Sequence, residues 1–396
     1  MKKRCYFDWA ATAVPDSVSR SQDDRDWGNP SSLHAEGRAA KNALEDARRR
    51  CAAVLNVPAQ NLYFTSGGTE ANCIALLSNL FRKGTGRIIC PDTEHPSVLE
   101  NVKKLERLGK NTGKIAVDSF GRVGPGQLKD ALEKYGDVRF AAIMAVNNET
   151  GAVTDMAALR DSVRDGVRDG GRPPVHLHCD LVQAAGKIPM DISLWDIDSG
   201  AISGHKIGAP RGIGLLYSRR PLETVCAGGS QENKQRPGTE NTSGALALAA
   251  CLEKRAGGGL AGEYALASAR WGRLIEGLKK IERCVLIPQG LSVREASLPT
   301  GGGGRPGGRG FSPYILQAAF KGVPGEVMVR ALDDLGFAVS TGSACSSSSA
   351  QRPVLSAMGV DDATSLESIR ISQGWSTGDD DIDLLLDTIG EVLKFL

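Results

Sequence analysis

Three short polar stretches of this chain carry residue types that can act together. "AISGHKIGAP" at 201–210 sets Lys206 between a histidine and a run of Gly and Pro, directly after an apolar strand-like stretch. A lysine there forms a Schiff base with an aldehyde once its amine is neutral, which calls for a pocket that lowers its pKa. "HCDLVQAAGK" at 178–187 ends an apolar strand on Asp180 and places Gln183 three residues on. A carboxylate in that place is either a helix cap or the partner of a protonated ring nitrogen, each charge stabilising the other. "TSGGTEAN" at 65–72 ends a strand, adds two glycines and opens a helix at Thr69. Free N–H groups at such a helix start favour a phosphate, and the stretch lacks the Gly-Lys-Ser/Thr ending of a Walker loop.

Taken singly, these are a loop lysine, a helix cap and a glycine turn. Taken together, they are the Schiff-base lysine, acidic ring partner and phosphate cradle that pyridoxal phosphate chemistry requires.

The elements that must position these residues are legible in the alternation of patterns. "NLYFTS", "GRIIC", "KIAVDS", "FAAIMAVNNE", "VHLHCD", "AISGHK" and "GIGLLYS" read as short β-rich runs. Most of the longer gaps hold helix-like segments, among them "SSLHAEGRAAKNALEDARRRCAAVLN", which starts on a Ser cap signal, and "TEANCIALLSNLFRK". Strands alternating with helices predict an α/β fold with a mostly parallel sheet covered on both faces. In such sheets the working loops lie at the carboxyl ends of strands, and each polar stretch above follows a strand. Beyond about residue 250 one long helix-like stretch, 241–281, is expected to lead into a smaller α/β unit. That unit contains "GGGGRPGGRG" at 301–310, with seven glycines in ten, which reads as a flexible loop.

Composition narrows the classes. The 396 residues are 41% hydrophobic and 24% charged, which suits a globular protein of about two domains. Forty-eight Lys and Arg against 46 Asp and Glu leave a formal charge of +2, so nucleic acid and membrane surfaces are not expected partners. No apolar run approaches the roughly 20 residues that span a bilayer. In the opening "MKKRCYFDWAATAV", Asp8 interrupts too short an apolar run for a signal peptide. Nine cysteines without a CxxC pair read as reduced thiols of a cytoplasmic protein, not as a metal cage. His176 and His178 are expected to share one strand face, and with no third ligand evident no metal site is expected.

A further set of stretches runs through the chain in order: "YFDWAATAVP", "GNPSSLHAEGRAA", "FTSGGTEAN", "TEHPSVLE", "VNNETGAV", "HCDLVQAAGKIPMDI", "SGHKIGAPRGIGLLY", "GGSQENKQRPGTENT", "VSTGSACSS" and "SIRISQG". In these the chain resembles, almost from end to end, the pyridoxal-phosphate-dependent cysteine desulfurases, a branch of the class V aminotransferases. The resemblance implies a fold-type I transferase: a large cofactor-binding domain over 15–252, and a small domain from 1–14 and 253–396 carrying a nucleophile loop at about 340–353. It implies Lys206 as covalent cofactor anchor, Asp180 against the ring nitrogen, His95 on the ring and in proton transfer, and Gln183 at the phenolic oxygen. Gly68, Thr69, Ser203 and His205 would hold the phosphate, and Thr239 would reach the phosphate of a second subunit in a homodimer. Asn148, also counted among the cofactor-binding residues, and Arg370 would grip the carboxylate of L-cysteine. Cys345 would take the sulfur as a persulfide, release L-alanine and pass sulfur to an acceptor protein.

The Ser-rich stretch after Cys345 resembles the subgroup tied to iron–sulfur cluster assembly. Three departures stand out: Leu181 in "DLVQ" is expected near the ring, Trp9 replaces a usual Tyr, and 290–312 is longer and richer in glycine. Two other readings stay open here. One is a selenocysteine lyase or another lyase or aminotransferase on the same fold; the other is an inactive scaffold in a sulfur-transfer assembly.

Overall fold

The strands of the main sheet are short and mostly buried, as sheets covered on both faces require, with the edge strand at 112–115 partly exposed. In the computed structural model, which describes residues 4–19, 27–82, 84–168, 174–293, 310–342 and 352–396, they are β2 (Leu62–Thr65), β3 (Arg87–Pro91), β4 (Thr112–Ile115), β5 (Val138–Ala142), β6 (His176–Asp180), β7 (Ser199–Ser203) and β8 (Gly214–Ser218). Their order is β2-β8-β7-β6-β5-β3-β4. β4, β3, β5, β6 and β7 pair in parallel, while β8 runs antiparallel to both β7 and β2. Parallel neighbours need crossovers, and helices supply them. They include α2 (Gly68–Leu77) after β2, α3 (Pro96–Arg107) after β3, α4 (Pro125–Tyr135) before β5 and α5 (Met156–Arg168) after it; α1 (Ala35–Leu55) precedes the sheet.

α1 starts one turn later than the Ser signal predicts. Its cap is His34, whose side chain accepts from the Gly37 amide. A second sheet is antiparallel throughout, β9 (Cys284–Ile287) and β12 (Ser368–Ser372) flanking β10 (Ile315–Phe320). β1 (Cys5–Tyr6) pairs in parallel with β11 (Phe337–Ala338). The long helix expected over 241–281 is instead two: α7 (Thr242–Ala256) and α8 (Leu260–Leu278), after the short α6 (Ile192–Trp195). The break falls on Gly257, Gly258 and Gly259, where three residues of high backbone entropy interrupt the pattern. α7 buries Leu248 and Leu252 in the main core, whereas Trp271, Leu274 and Leu278 of α8 pack against Leu316, Phe320 and Ile369 of the second sheet.

The two sheets meet where the chain folds back on itself. Ser312 N donates to Gly151 O at 2.7 Å and Val153 N to Gly310 O at 3.0 Å. This seats the segment leading into β10, the central strand of the second sheet, on the loop after β5. Cys345, most of the loop around it and all but the last residue of the glycine-rich 301–310 lie outside the described residues. No described helix is long and apolar enough to cross a membrane.

Candidate active site

The carboxyl ends of β2, β3, β5, β6 and β7 lead into the residues singled out by chemistry: Gly68 and Thr69, His95, Asn148, Asp180, and Ser203 to Lys206. Five loops from parallel strands thus open on one edge of the sheet. The turn after β7 is tight. A Cβ on Gly214, the first residue of β8, would stand 2.5 Å from Ile202 O and 2.6 Å from Gly67 Cα, so only glycine lets these backbones touch.

Asp180 is held from two sides. Its Oδ1 accepts from the Val182 amide at 2.9 Å and its Oδ2 from Asn72 Nδ2 at 2.8 Å. Lys206 Nζ donates to the carbonyls of Ala10 at 2.5 Å and Ala11 at 2.7 Å. Gln183 Nε2 donates to the same Ala10 carbonyl at 2.9 Å. Its Oε1 accepts from Lys187 Nζ at 2.6 Å, which settles which end of the amide is which. His95 caps α3, its Nδ1 accepting from the Ser97 amide at 3.1 Å, so a neutral ring carries its proton on Nε2.

Charge and burial tie these groups together. Burial pushes the His95 imidazole below its ordinary value; the Asp180 carboxylate pulls it up and the Lys206 ammonium pulls it further down. Asp180 and Lys206 therefore both lie within electrostatic reach of His95. Burial, helped by Lys206 and Arg370, lowers the Lys187 amine to about 7. Burial, with Lys206, Lys187 and Arg211, lowers His205 to about 4, while its Nδ1 lies 3.1 Å from Thr12 Oγ1.

The start of α2 suits an anion. Its first amides have no helical acceptor, and the cap residue Gly67 offers no side chain to them. A Cβ on Gly68 would fill that space, meeting Val182 Cγ2 at 2.5 Å and Ser203 Cβ at 3.5 Å. A bare helix start, a neighbouring serine, a lysine and a fixed carboxylate fit pyridoxal phosphate.

Arg370 approaches from β12 of the second sheet. Its side chain is 3% exposed and donates to Asn148 O, Gly342 O and Asp8 Oδ1, each at 2.8 Å. The Asn148 backbone, not its side chain, makes this contact. Thr239 stands exposed on the loop after Gly238, outside this cluster. That loop is pinned from below by Glu232, whose carboxylate takes Arg48 NH1 at 2.7 Å, Arg48 NH2 at 2.8 Å and the Phe64 amide at 2.8 Å.

Leu181, expected near the ring, points into the core. It is fully buried in the main core, over Gly200, where a Cβ would come within 2.7 Å of Leu181 Cδ1. Val182 is the residue that faces the start of α2. Trp9 is buried too, edge-on to Trp375 at 4.6 Å. The eight described cysteines are free; burial pushes Cys51, Cys251 and Cys284 up to about 12 and Cys179 well above its ordinary value, which favours the thiol at these four. His176 and His178 both bond Ser199 Oγ, at 2.7 and 2.8 Å, which places them on one face of β6. Among the described residues no group of three or more His, Cys, Asp and Glu side chains is placed to hold a metal ion.

Sequence reading missed Asn72, Asp8, Lys187 and Glu94. Asn72 lies one helical turn past Gly68, a spacing that signals a shared face. Glu94 is buried beside Asp180, and its Oε1 accepts from the Met144 amide at 2.6 Å. Burial and then the Asp180 charge push its carboxyl well above the ordinary value, which favours its neutral form.

Comparison with known proteins agrees with this geometry. The family model described as aminotransferase class-V matches residues 5–297. The cysteine desulfurase IscS of Dictyoglomus turgidum is 33% identical over 407 residues, covering 100% of this chain and 96% of that protein. A solved NifS-like protein superposes with a TM-score of 0.85 at 29% identity, covering 99% of this chain and 100% of the other. SspA in complex with cysteine superposes with a TM-score of 0.75 at 25% identity, covering 94% and 98%. The chain belongs to the class-V aminotransferase family, in the branch of the cysteine desulfurases.

Proposed function

We propose that this enzyme is a pyridoxal 5'-phosphate-dependent cysteine desulfurase that converts L-cysteine into L-alanine and takes the sulfur as a persulfide on Cys345. The observation that carries the reading is the convergence of Lys206 and Asp180 on His95, both within electrostatic reach of it at one edge of the sheet. A relative named as a cysteine desulfurase and a similar structure holding cysteine support the same substrate.

When bound, the cofactor supplies an electron sink for the bonds at the substrate Cα. Lys206 is its covalent anchor, and Asp180 holds the ring nitrogen protonated. The amide of Gln183, oriented by Lys187, offers Nε2–H to the phenolic oxygen. The open start of α2 at Gly68 and Thr69, with Ser203 and His205, holds the phosphate. His95, its pKa lowered by burial, moves protons at Nε2, the ring nitrogen that Ser97 does not occupy. Arg370 and Asn148 bind the substrate carboxylate. The guanidinium fork suits that task, and Asp8 is the anion already beside it.

The net equation balances without an outside oxidant. The substrate C–S bond breaks, an S–S bond forms on Cys345, and the thiol proton ends on the methyl group of alanine. The persulfide then passes to an acceptor protein, for iron–sulfur clusters or other sulfur-containing cofactors. We read the chain as a cytoplasmic homodimer in which the exposed Thr239 reaches the partner's phosphate site. Within each subunit a large domain, 15–252, adjoins a small one formed by 1–14 and 253–396.

The test is release of sulfide and alanine from L-cysteine with a reductant, comparing wild type with Cys345→Ala at equal cofactor occupancy. Product from the wild type alone supports the reading. Equal release by both removes Cys345 from the reaction and favours a lyase; release by neither favours a scaffold.

A further inference from the structure

Beneath Asp180 runs a chain of buried polar side chains that none of the roles above uses. His176 Nε2 lies 2.7 Å from Ser199 Oγ, and His178 Nδ1 lies 2.8 Å from the same oxygen. His178 Nε2 lies 2.9 Å from Asn72 Oδ1. Asn72 Nδ2 then donates twice, to Asp180 Oδ2 at 2.8 Å and to Ser97 Oγ at 2.9 Å. Ser97 Oγ lies 2.8 Å from His95 Nδ1. Asn72, His178 and Ser199 are each 0% exposed, so no solvent competes for these bonds.

One assignment of protons satisfies every contact. Asn72 donates through Nδ2, so its Oδ1 must accept, and the donor is an N–H on His178 Nε2. A neutral His178 then has a bare Nδ1, which takes the Ser199 hydroxyl proton. Ser199 Oγ in turn accepts from His176 Nε2–H. On the other branch Ser97 Oγ accepts from Asn72 and turns its own proton to His95 Nδ1. Burial holds both His176 and His178 down at about 3, which agrees with two neutral rings. The chain thus begins at one strand face and ends on two of the groups assigned to the reaction.

We propose that Asn72, locked by His178 and through it by Ser199, is a positioning residue that orients the Asp180 carboxylate and, by engaging Ser97 Oγ, turns a second donor onto His95 Nδ1. The inference rests on the reading that Asp180 faces the ring nitrogen. Its physical content is preorganisation: a carboxylate held at both oxygens does not have to reorient when a charged ring binds. A carboxamide suits this post because it gives two donors to one side and one acceptor to the other. An aspartate at 72 would face Asp180 with a like charge, and a leucine would leave Asp180 Oδ2 with one bond fewer.

Two readouts on purified protein test the inference without turnover. One is the dissociation constant of pyridoxal 5'-phosphate for the apoprotein; the other is the visible absorption maximum of the cofactor once bound. Asn72→Leu and His178→Leu are expected to weaken binding about tenfold or more and to displace the band, the effect of losing hydrogen bonds to a charged group. His178→Gln keeps an N–H for Asn72 and is expected to restore both readouts close to wild type. Should Asn72→Leu not fold, the His178 pair decides alone. Wild-type binding and band in Asn72→Leu, or equal damage from His178→Gln and His178→Leu, would overturn the inference. Asp180→Asn separates the two ideas. If it moves both readouts while Asn72→Leu moves neither, only the positioning role falls; if it moves neither, the reading of Asp180 itself falls.

Discussion

Asp180 and Arg370 are both buried and charged, yet their surroundings differ in kind. Around Asp180, none of Asn72, His178 and Ser199 leaves a buried side-chain nitrogen or oxygen without a partner. Around Arg370, its own Nε and the Oε2 of neighbouring Glu149 are buried and have no hydrogen-bond partner among the described residues. Burial pushes the Glu149 carboxyl up, against the pull of Arg370 and Arg352. The network through Asn72 is complete before any ligand arrives, although Glu94 Oε2 beside Asp180 is itself buried without a partner among the described residues. The Arg370 end keeps unmet polar capacity, which costs stability in the free protein and suits a site that receives a small carboxylate.

Exchanging charge for neutrality at the Asp180 end gives the largest effect. Asp180→Asn is expected to lower kcat by roughly 100- to 1,000-fold while changing KM for L-cysteine little, because a preorganised charge acts mainly on the transition state. Arg370→Lys tests the other end. It is expected to raise KM by roughly ten- to 100-fold with kcat and cofactor binding close to wild type, since a point charge replaces a fork. Steady-state kinetics on both variants breaks the comparison if the two patterns are exchanged or merge.

Acid sharpens the same contrast. His176 and His178 stay neutral in the fold down to about 3, whereas an unfolded histidine takes its proton near 6.5. Below pH 6.5 the unfolded chain therefore binds protons that the fold refuses. Stability is full above that pH and is lost as pH falls toward 3, by about 1.4 kcal/mol per histidine per pH unit. Glu149 at the other end works in the opposite sense. Its raised pKa favours the fold at low pH, and that contribution fades as pH rises through the folded value. Urea unfolding at pH 6, 5 and 4 should show a slope in wild type that becomes shallower by about one histidine's share, about 1.4 kcal/mol per pH unit, in His178→Gln.

What the sequence disclosed of this contrast depended on locality. Lys206, Asp180 and Gly68 each sit in a stretch whose neighbours declare the role, and all follow strands whose alternation with helices predicts the parallel sheet. The network behind them has no local signature. Asn72 and Asp180 are 108 residues apart, Asp8 and Arg370 are 362 apart, and Ser199 stands opposite His178 only through the register of β6 on β7. The three glycines at 257–259 were visible in the chain, but a periodic pattern on both sides masked the break. The direction of the Leu181 side chain is equally illegible, because proximity in sequence to Asp180 says nothing about which side of the strand end it takes.

Leu181 also offers the smallest test, and the one that probes how firmly the Asp180 end is supported. Its side chain lies over Gly200 on β7, one residue past Ser199, with no room for a Cβ between them. Gly200→Ala should destabilise by about 1 kcal/mol, the lower range for overpacking, because the obstructing atom is the tip of a leucine that can turn. Leu181→Ala alone should cost more, about 2 kcal/mol or above, from lost burial and the cavity left behind. In the double variant the added methyl enters the space that the leucine vacates, so the two costs should fall short of their sum. Strict additivity in denaturant unfolding would mean that Gly200 is set by something other than Leu181. If the double variant also keeps the wild-type cofactor band, the core beneath β6 can be repacked without disturbing Asp180, and the carboxylate owes its position to hydrogen bonds alone.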